Sequence, residues 1–266
     1  MKEIKSVYEF AWLTTQQILV TSDAEGQHIK GFGSGFFFLY KDKLFFVTAD
    51  HISHSDDFEK GIRLGKDDFV WVLNNVNHEK ELASIFTPIG GLFSFDMMNI
   101  EDELSFRIPE MKDISFAILP NSFNYPFLTH ELKIDEDIIV AGGEEKLIIR
   151  SQCTEVLKDT DFCLIEGCVQ WDIKDGIRLV KCNAIYQDLR FEGLDTNDYY
   201  ILKHSTPIKY KDWAGLSGAP VFNDNNRLIG MAIRISEIDD TVIVVPMGKI
   251  TELMDLVIKY EECIDE

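Results

Sequence analysis

Gly33-Ser34-Gly35-Phe36-Phe37-Phe38-Leu39-Tyr40-Lys41-Asp42-Lys43-Leu44-Phe45-Phe46-Val47-Thr48-Ala49-Asp50-His51 holds two apolar runs, Ser34 to Tyr40 and Leu44 to Ala49, parted by a short polar break. Both runs are brief and rich in aromatic and β-branched residues, which predicts strands rather than helices. Upstream and downstream the same pattern recurs at Gln17 to Thr21, Phe69 to Leu73 and Ile114 to Leu119. It continues at Ile138 to Ala141, Leu147 to Gln152, Phe162 to Glu166, Arg178 to Cys182, Tyr199 to Lys203, Ala219 to Phe222, Leu228 to Ile235 and Val242 to Val245. So many short strands separated by turn residues read as an all-β protein, not as alternating βαβ units. Residues 120–133, with Asn121, Ser122, Asn124 and Pro126, lack periodicity and suit a surface connection between two halves. Ile250, Leu253, Met254, Val257 and Ile258 fall on one helical face, which predicts a C-terminal helix over about 248–262. Residues 74–112, with Gly90-Gly91 and Asp96, Glu101, Asp102 and Glu103, carry no clear pattern.

The 266 residues are compatible with one large β unit. With 46 acidic and 26 basic side chains the formal charge is -20, which repels nucleic acid and anionic membranes; neither is expected as a partner. Cys153, Cys163, Cys168, Cys182 and Cys263 are odd in number and lack paired C-x-x-C spacing, so no zinc site is expected and the thiols read as reduced and mostly buried. The opening residues contain Glu3, Glu9 and Trp12 without a secretory pattern, and no stretch approaches the length of a membrane helix; the expectation is a cytoplasmic protein.

Chemistry concentrates in Gly215-Leu216-Ser217-Gly218-Ala219-Pro220-Val221-Phe222, a serine among small residues ahead of an apolar strand. Glycines there allow successive N–H groups to face one side, as an oxyanion hole built from the amides of Gly215 and Ser217 requires. A serine needs a base, commonly histidine held by a carboxylate. His28, His51, His54, His78, His130 and His204 all precede Ser217, an order that excludes the α/β-hydrolase arrangement. His51, just past a strand, is the leading base and His54 the fallback. Asp113 opens the strand Ile114 to Leu119 and is the leading orienting carboxylate, with Asp96 and Asp102 as competitors. Gly31 to Phe36 lacks the final glycine of a nucleotide-binding loop, and Gly142-Gly143-Glu144-Glu145-Lys146 reads as a hairpin turn.

Four segments taken in order, Gly33-Ser34-Gly35-Phe36, Thr48-Ala49-Asp50-His51, Asp113-Ile114-Ser115-Phe116-Ala117-Ile118 and Gly215-Leu216-Ser217-Gly218-Ala219-Pro220, resemble the chymotrypsin-fold, trypsin-like serine peptidases. The resemblance covers residues 31 to about 247. It implies two six-stranded antiparallel barrels in one peptidase domain, over about 14–120 and 134–247, with the C-terminal helix packed on them. It also implies endopeptidase activity in which Ser217 attacks, His51 moves the proton and Asp113 orients, on a peptide or protein substrate and with no cofactor or metal. Leu216 stands where zymogen-activated relatives carry an aspartate, so activation by a new N-terminus is not expected. Asp50 puts a second carboxylate beside the base, which would raise the histidine pKa. By the same resemblance, the floor of the primary pocket falls near Lys211, which would select an acidic residue, and its wall near Ile233, Arg234 and Ile235. A competing reading keeps the fold but not constitutive turnover: a latent or non-catalytic protein that binds a partner, or is activated by one, with 74–112 as the latency element.

Overall fold

The protein is described by a computed structural model over residues 6–26, 28–64, 68–78, 81–97, 110–123, 127–134, 136–174 and 178–264. Helix α1 (Val7–Thr14) leads into β1 (Thr15–Thr21), β2 (Ile29–Tyr40) and β3 (Lys43–Thr48). Two short helices follow, α2 (Asp50–Ser53) and α3 (Ser55–Lys60), then β4 (Phe69–His78), β5 (Glu81–Pro88), β6 (Phe93–Met97) and β7 (Glu110–Leu119). The connection carries the hairpin β8 (Leu132–Ile134) and β9 (Asp137–Val140) and the two-residue β10 (Ile149–Arg150). The second half comprises β11 (Phe162–Lys174), β12 (Arg178–Leu194), β13 (Tyr200–Lys203), α4 (Tyr210–Trp213), β14 (Pro220–Asn223), β15 (Leu228–Ser236), β16 (Thr241–Pro246) and α5 (Met247–Ile264).

The second half closes as expected: β11-β12-β13-β16-β15-β14 form a six-stranded barrel. The first half departs from the expected second barrel. Its strands form one eight-stranded sheet, ordered β5-β4-β1-β2-β3-β7-β6 with β10 added to β2, and among the described residues β5 and β6 do not meet to close it. The pairings give the reason. Strand β2 pairs β1 only through Phe36, so the edge of Phe38 and Leu39 is left for β10, which joins in parallel. Strands β8 and β9 pair with each other rather than extending the sheet.

The strands expected from pattern are present, most of them longer than the apolar run that announced them, except that Leu147 to Gln152 shrinks to Ile149–Arg150 and turns into a 3₁₀ helix at Ser151. The pattern did not announce β5, β6 and β8, nor the helices α1 to α4. Helix α1 carries a local signal all the same: Ser6 caps it, its Oγ accepting from the Glu9 N–H at 3.1 Å, within a Ser-x-x-Glu start.

Phe36, Phe37, Phe38, Phe45, Phe46, Phe116 and Phe127 are completely buried. Consecutive buried residues on β2 mean that both faces of this strand are covered. Phe37 packs on Phe46 and Phe127 at centroid distances of 5.6 and 5.3 Å, and Phe45 packs edge-on against Phe116 at 5.5 Å. Each such side chain contributes about 1.5–3 kcal/mol by leaving water, so this aromatic centre dominates the first half. The core runs on without a break into the barrel through Leu164, Phe222, Met231 and Val245 and into α5 through Ile250, Met254 and Val257. Helix α1 bridges the halves, with Phe10 edge-on to Phe222 at 4.9 Å.

Candidate active site

Strand β3 ends at Thr48, paired with Ser115 of β7, and the chain turns at Ala49 into the single turn of α2. That register leaves Asp113 just beyond the last β3 pairing, directly beneath the helical turn. Both the backbone N–H and Nδ1 of His51 point at it: the amide donates to Oδ1 at 2.9 Å, and Nδ1 lies 2.8 Å from Oδ2 and 3.0 Å from Oδ1. A carboxylate only accepts, so Nδ1 carries the proton and Nε2 presents a lone pair to the cleft. Burial opposes charging of the imidazole. The charge and hydrogen bond of Asp113, joined by the charge of Asp50, outweigh it and hold the His51 pKa above its ordinary value, with Arg234 pulling weakly the other way.

Asp50 does not face His51. Its fully buried carboxylate places Oδ1 2.8 Å from His54 Nδ1 and Oδ2 2.6 Å from Arg63 Nη1. Arg63 in turn reaches Asp96 through Nε at 3.0 Å. Hence His54, the fallback base, is buried on the far side of Asp50, and Asp96 serves Arg63 rather than an imidazole. Asp102 lies outside the described residues. The network fastens α2, which carries His51, to α3 and β6.

Ser217 follows one 3₁₀ turn, Ala214–Leu216, with Gly215 at its centre. Two contacts strap this turn to β2: Ser34 N–H donates to the Ser217 carbonyl at 2.9 Å and Ser34 Oγ donates to the Gly215 carbonyl at 2.8 Å, while Thr48 Oγ1 of β3 steadies Ser34 by donating to its carbonyl at 2.8 Å. Gly218 has φ +82°, and a Cβ there would lie 2.0 Å from the Ser34 carbonyl oxygen. A Cβ on Gly167 of β11 would lie 2.5 Å from Ser34 Oγ. Both positions must be glycine for the turn to approach the sheet.

His51, Asp113 and Ser217 line one cavity of about 580 Å³ between the sheet and the barrel. Among the described residues the Ser217 hydroxyl donates to the Ile233 carbonyl at 3.5 Å, and no hydrogen bond joins it to His51. Ile233, Arg234 and Ile235 line the same cavity, together with Trp213 and Val242. Lys211 does not. It is exposed on α4 while its neighbours Tyr210 and Trp213 supply the lining, because one helical turn points successive side chains in different directions. Tyr199, also in the wall, stays a neutral phenol, its pKa pushed up to about 12 by burial and then by the charges of Asp113, Glu110 and Asp195.

The cysteines stand apart from this site. Of the five thiols expected to be mostly buried, Cys163 is buried, Cys153 half-buried and Cys263 exposed on α5; the side chains of Cys168 and Cys182 lie outside those described. Among the described residues no group of acidic, histidine or cysteine side chains is arranged to hold a metal, and no helix is long and apolar enough to cross a membrane.

No protein-family model matches the chain, and no curated protein does. Among solved structures it is similar to a serine endoprotease from Yersinia pestis, at 12% identity over 97% of this chain and 68% of that one, with a TM-score of 0.49.

Proposed function

We propose that the protein is a serine endopeptidase using Ser217 as nucleophile, His51 as general base and Asp113 as the group that holds the imidazole. The observation that carries this reading is the His51–Asp113 pair opening onto the cavity that Ser217 lines. In the reaction Ser217 Oγ turns from the Ile233 carbonyl to His51 Nε2, loses its proton there and attacks the scissile carbonyl. The tetrahedral oxyanion is met by the amides of Gly215 and Ser217. His51 then returns the proton to the leaving amine, and water hydrolyses the acyl-enzyme by the same exchange. Asp113 keeps the proton on Nδ1 and stabilises the imidazolium as it forms.

The backbone beside the site favours an extended peptide. Strand β14 pairs β15 no further than Met231, while β16 pairs β15 to Ser236. Among the described residues, 233–236 therefore keep one edge without a strand partner, and an extended chain can pair with such an edge.

A second reading, that the protein is latent or acts by binding, is favoured by two features. Ser217 bonds to Ile233 rather than to His51, and Gly215 lies within a 3₁₀ turn whose carbonyl Ser34 holds. Turnover then requires rotation of Ser217 and opening of that turn. Fluorophosphonate labelling separates the two. A competent site labels in the wild type and fails to label in Ser217→Ala and His51→Ala; absence of label from all three favours the latent or binding role, with an activating protein as its partner.

A further inference from the structure

Where the site cavity ends, a second, open groove of about 810 Å³ begins on the outside of the barrel. The two share three residues, Tyr210, Arg234 and Ile235. The charged groups along this path are mostly committed. Lys112 pairs with Glu110 at 2.9 Å and reaches Asn197 at 3.2 Å. Lys203 lies 3.9 Å from Glu192, and Asp239 accepts from Ser236 Oγ at 3.2 Å. Glu237 accepts from the Tyr210 amide. Glu59 lines the first cavity only.

Arg234 differs. It is exposed and lies at the junction of cavity and groove, yet it makes no hydrogen bond or ion pair among the described residues. Acidic side chains outnumber basic ones 46 to 26, so a guanidinium left without a carboxylate in so acidic a chain is available to a carboxylate from outside. Guanidinium geometry suits that partner, offering two parallel N–H donors to its two oxygens. Nearer Ser217, the apolar Trp213, Leu216, Ala232 and Val242 offer a place for an apolar side chain.

We infer that the groove recognises extended peptides with an apolar residue at Ser217 and an acidic side chain within a few residues of it, paired with Arg234. This inference rests on the endopeptidase reading for its account of cleavage, but recognition can be measured without turnover. Fluorescent peptides with one apolar residue and a Glu, Gln or Lys walked through each flanking position are titrated, by anisotropy, against Ser217→Ala and against Ser217→Ala with Arg234→Glu. At one position the Glu peptide is expected to bind about tenfold more tightly than its Gln counterpart, a difference of about 1.4 kcal/mol. Arg234→Glu is expected to invert the order in favour of Lys, and Arg234→Lys to retain part of the Glu preference. Equal binding of the Glu, Gln and Lys peptides at every position, a preference indifferent to Arg234→Glu, or no binding at all would overturn the inference. Cleavage by the wild type is scored separately. Charge-selective binding without cleavage leaves the recognition standing and removes the peptidase reading; cleavage without charge preference does the reverse.

Discussion

At the scale of single residues the arrangement turns on which way each carboxylate faces. Asp113 and Asp50 flank His51 on either side, but only Asp113 touches it, and the difference is set by what else each can reach. Asp50 is drawn away by His54 and Arg63, so it acts on the base through charge alone. Because the His51 pKa is raised above 6.5, the imidazole must lose a proton before it can serve as base, and the acid limb of kcat/KM is expected above that value. Asp113→Asn is expected to move the limb down and to lower kcat by roughly 10⁴-fold, as when the wrong tautomer is imposed. A pH–rate profile of both proteins checks the sign. Stability follows the same linkage: the pair's contribution is fully present below the unfolded histidine pKa near 6.5 and is lost as pH rises through the raised folded value. Asp50→Asn is expected to remove the buried carboxylate that holds both His54 and Arg63, while Arg63 keeps Asp96 at 3.0 Å and Asp57 at 3.7 Å. About 1–3 kcal/mol of stability should be lost, read as a drop in the urea midpoint.

At the scale of elements, the nucleophile turn belongs to the barrel by sequence and to the sheet by contact. Ser34 on β2 takes hold of it twice, at the Ser217 and Gly215 carbonyls, and the two glycines let it come that close. Gly218→Ala is expected to cost about 1–3 kcal/mol from the left-handed backbone alone, with the clash against Ser34 added. Fluorophosphonate labelling should disappear with it, even where the far-ultraviolet circular dichroism stays native. Ser34→Ala removes only the hydroxyl that fixes the Gly215 carbonyl, which costs about 0.5–1.5 kcal/mol. If that bond restrains the 3₁₀ turn, labelling of Ser217 should become faster rather than slower, and a time course decides.

At the scale of the whole molecule, the aromatic centre of the sheet, α5 and barrel residues such as Leu164, Phe222 and Val245 form one core that spans both halves, beside a second cluster within the barrel, so the two halves are expected to unfold together. Tryptophan fluorescence and circular dichroism should give coincident transitions in urea. Phe10→Ala, which empties the contact with Phe222 where α1 bridges the halves, should cost about 3–5 kcal/mol of stability, read as a lower urea midpoint, without splitting the transition. Most strands, the helix at 247–264 and the place of His51 just past β3 were legible in the chain, because alternation and apolar periodicity are local properties; Asp113 was expected to open its strand but lies within it, since β7 begins at Glu110. The hairpin β4–β5 was half hidden, since Asn74, Asn75 and Asn77 dilute the apolar run that began at Phe69. Closure of the barrel and the openness of the sheet were not legible, because they depend on which strand edges find each other across the chain. Nor could the sequence turn Asp50 toward Arg63, Lys211 toward solvent or the Ser217 hydroxyl toward Ile233. For Asp50 and Ser217 those directions come from neighbours 13 and 16 residues away, and only packing brings them within reach.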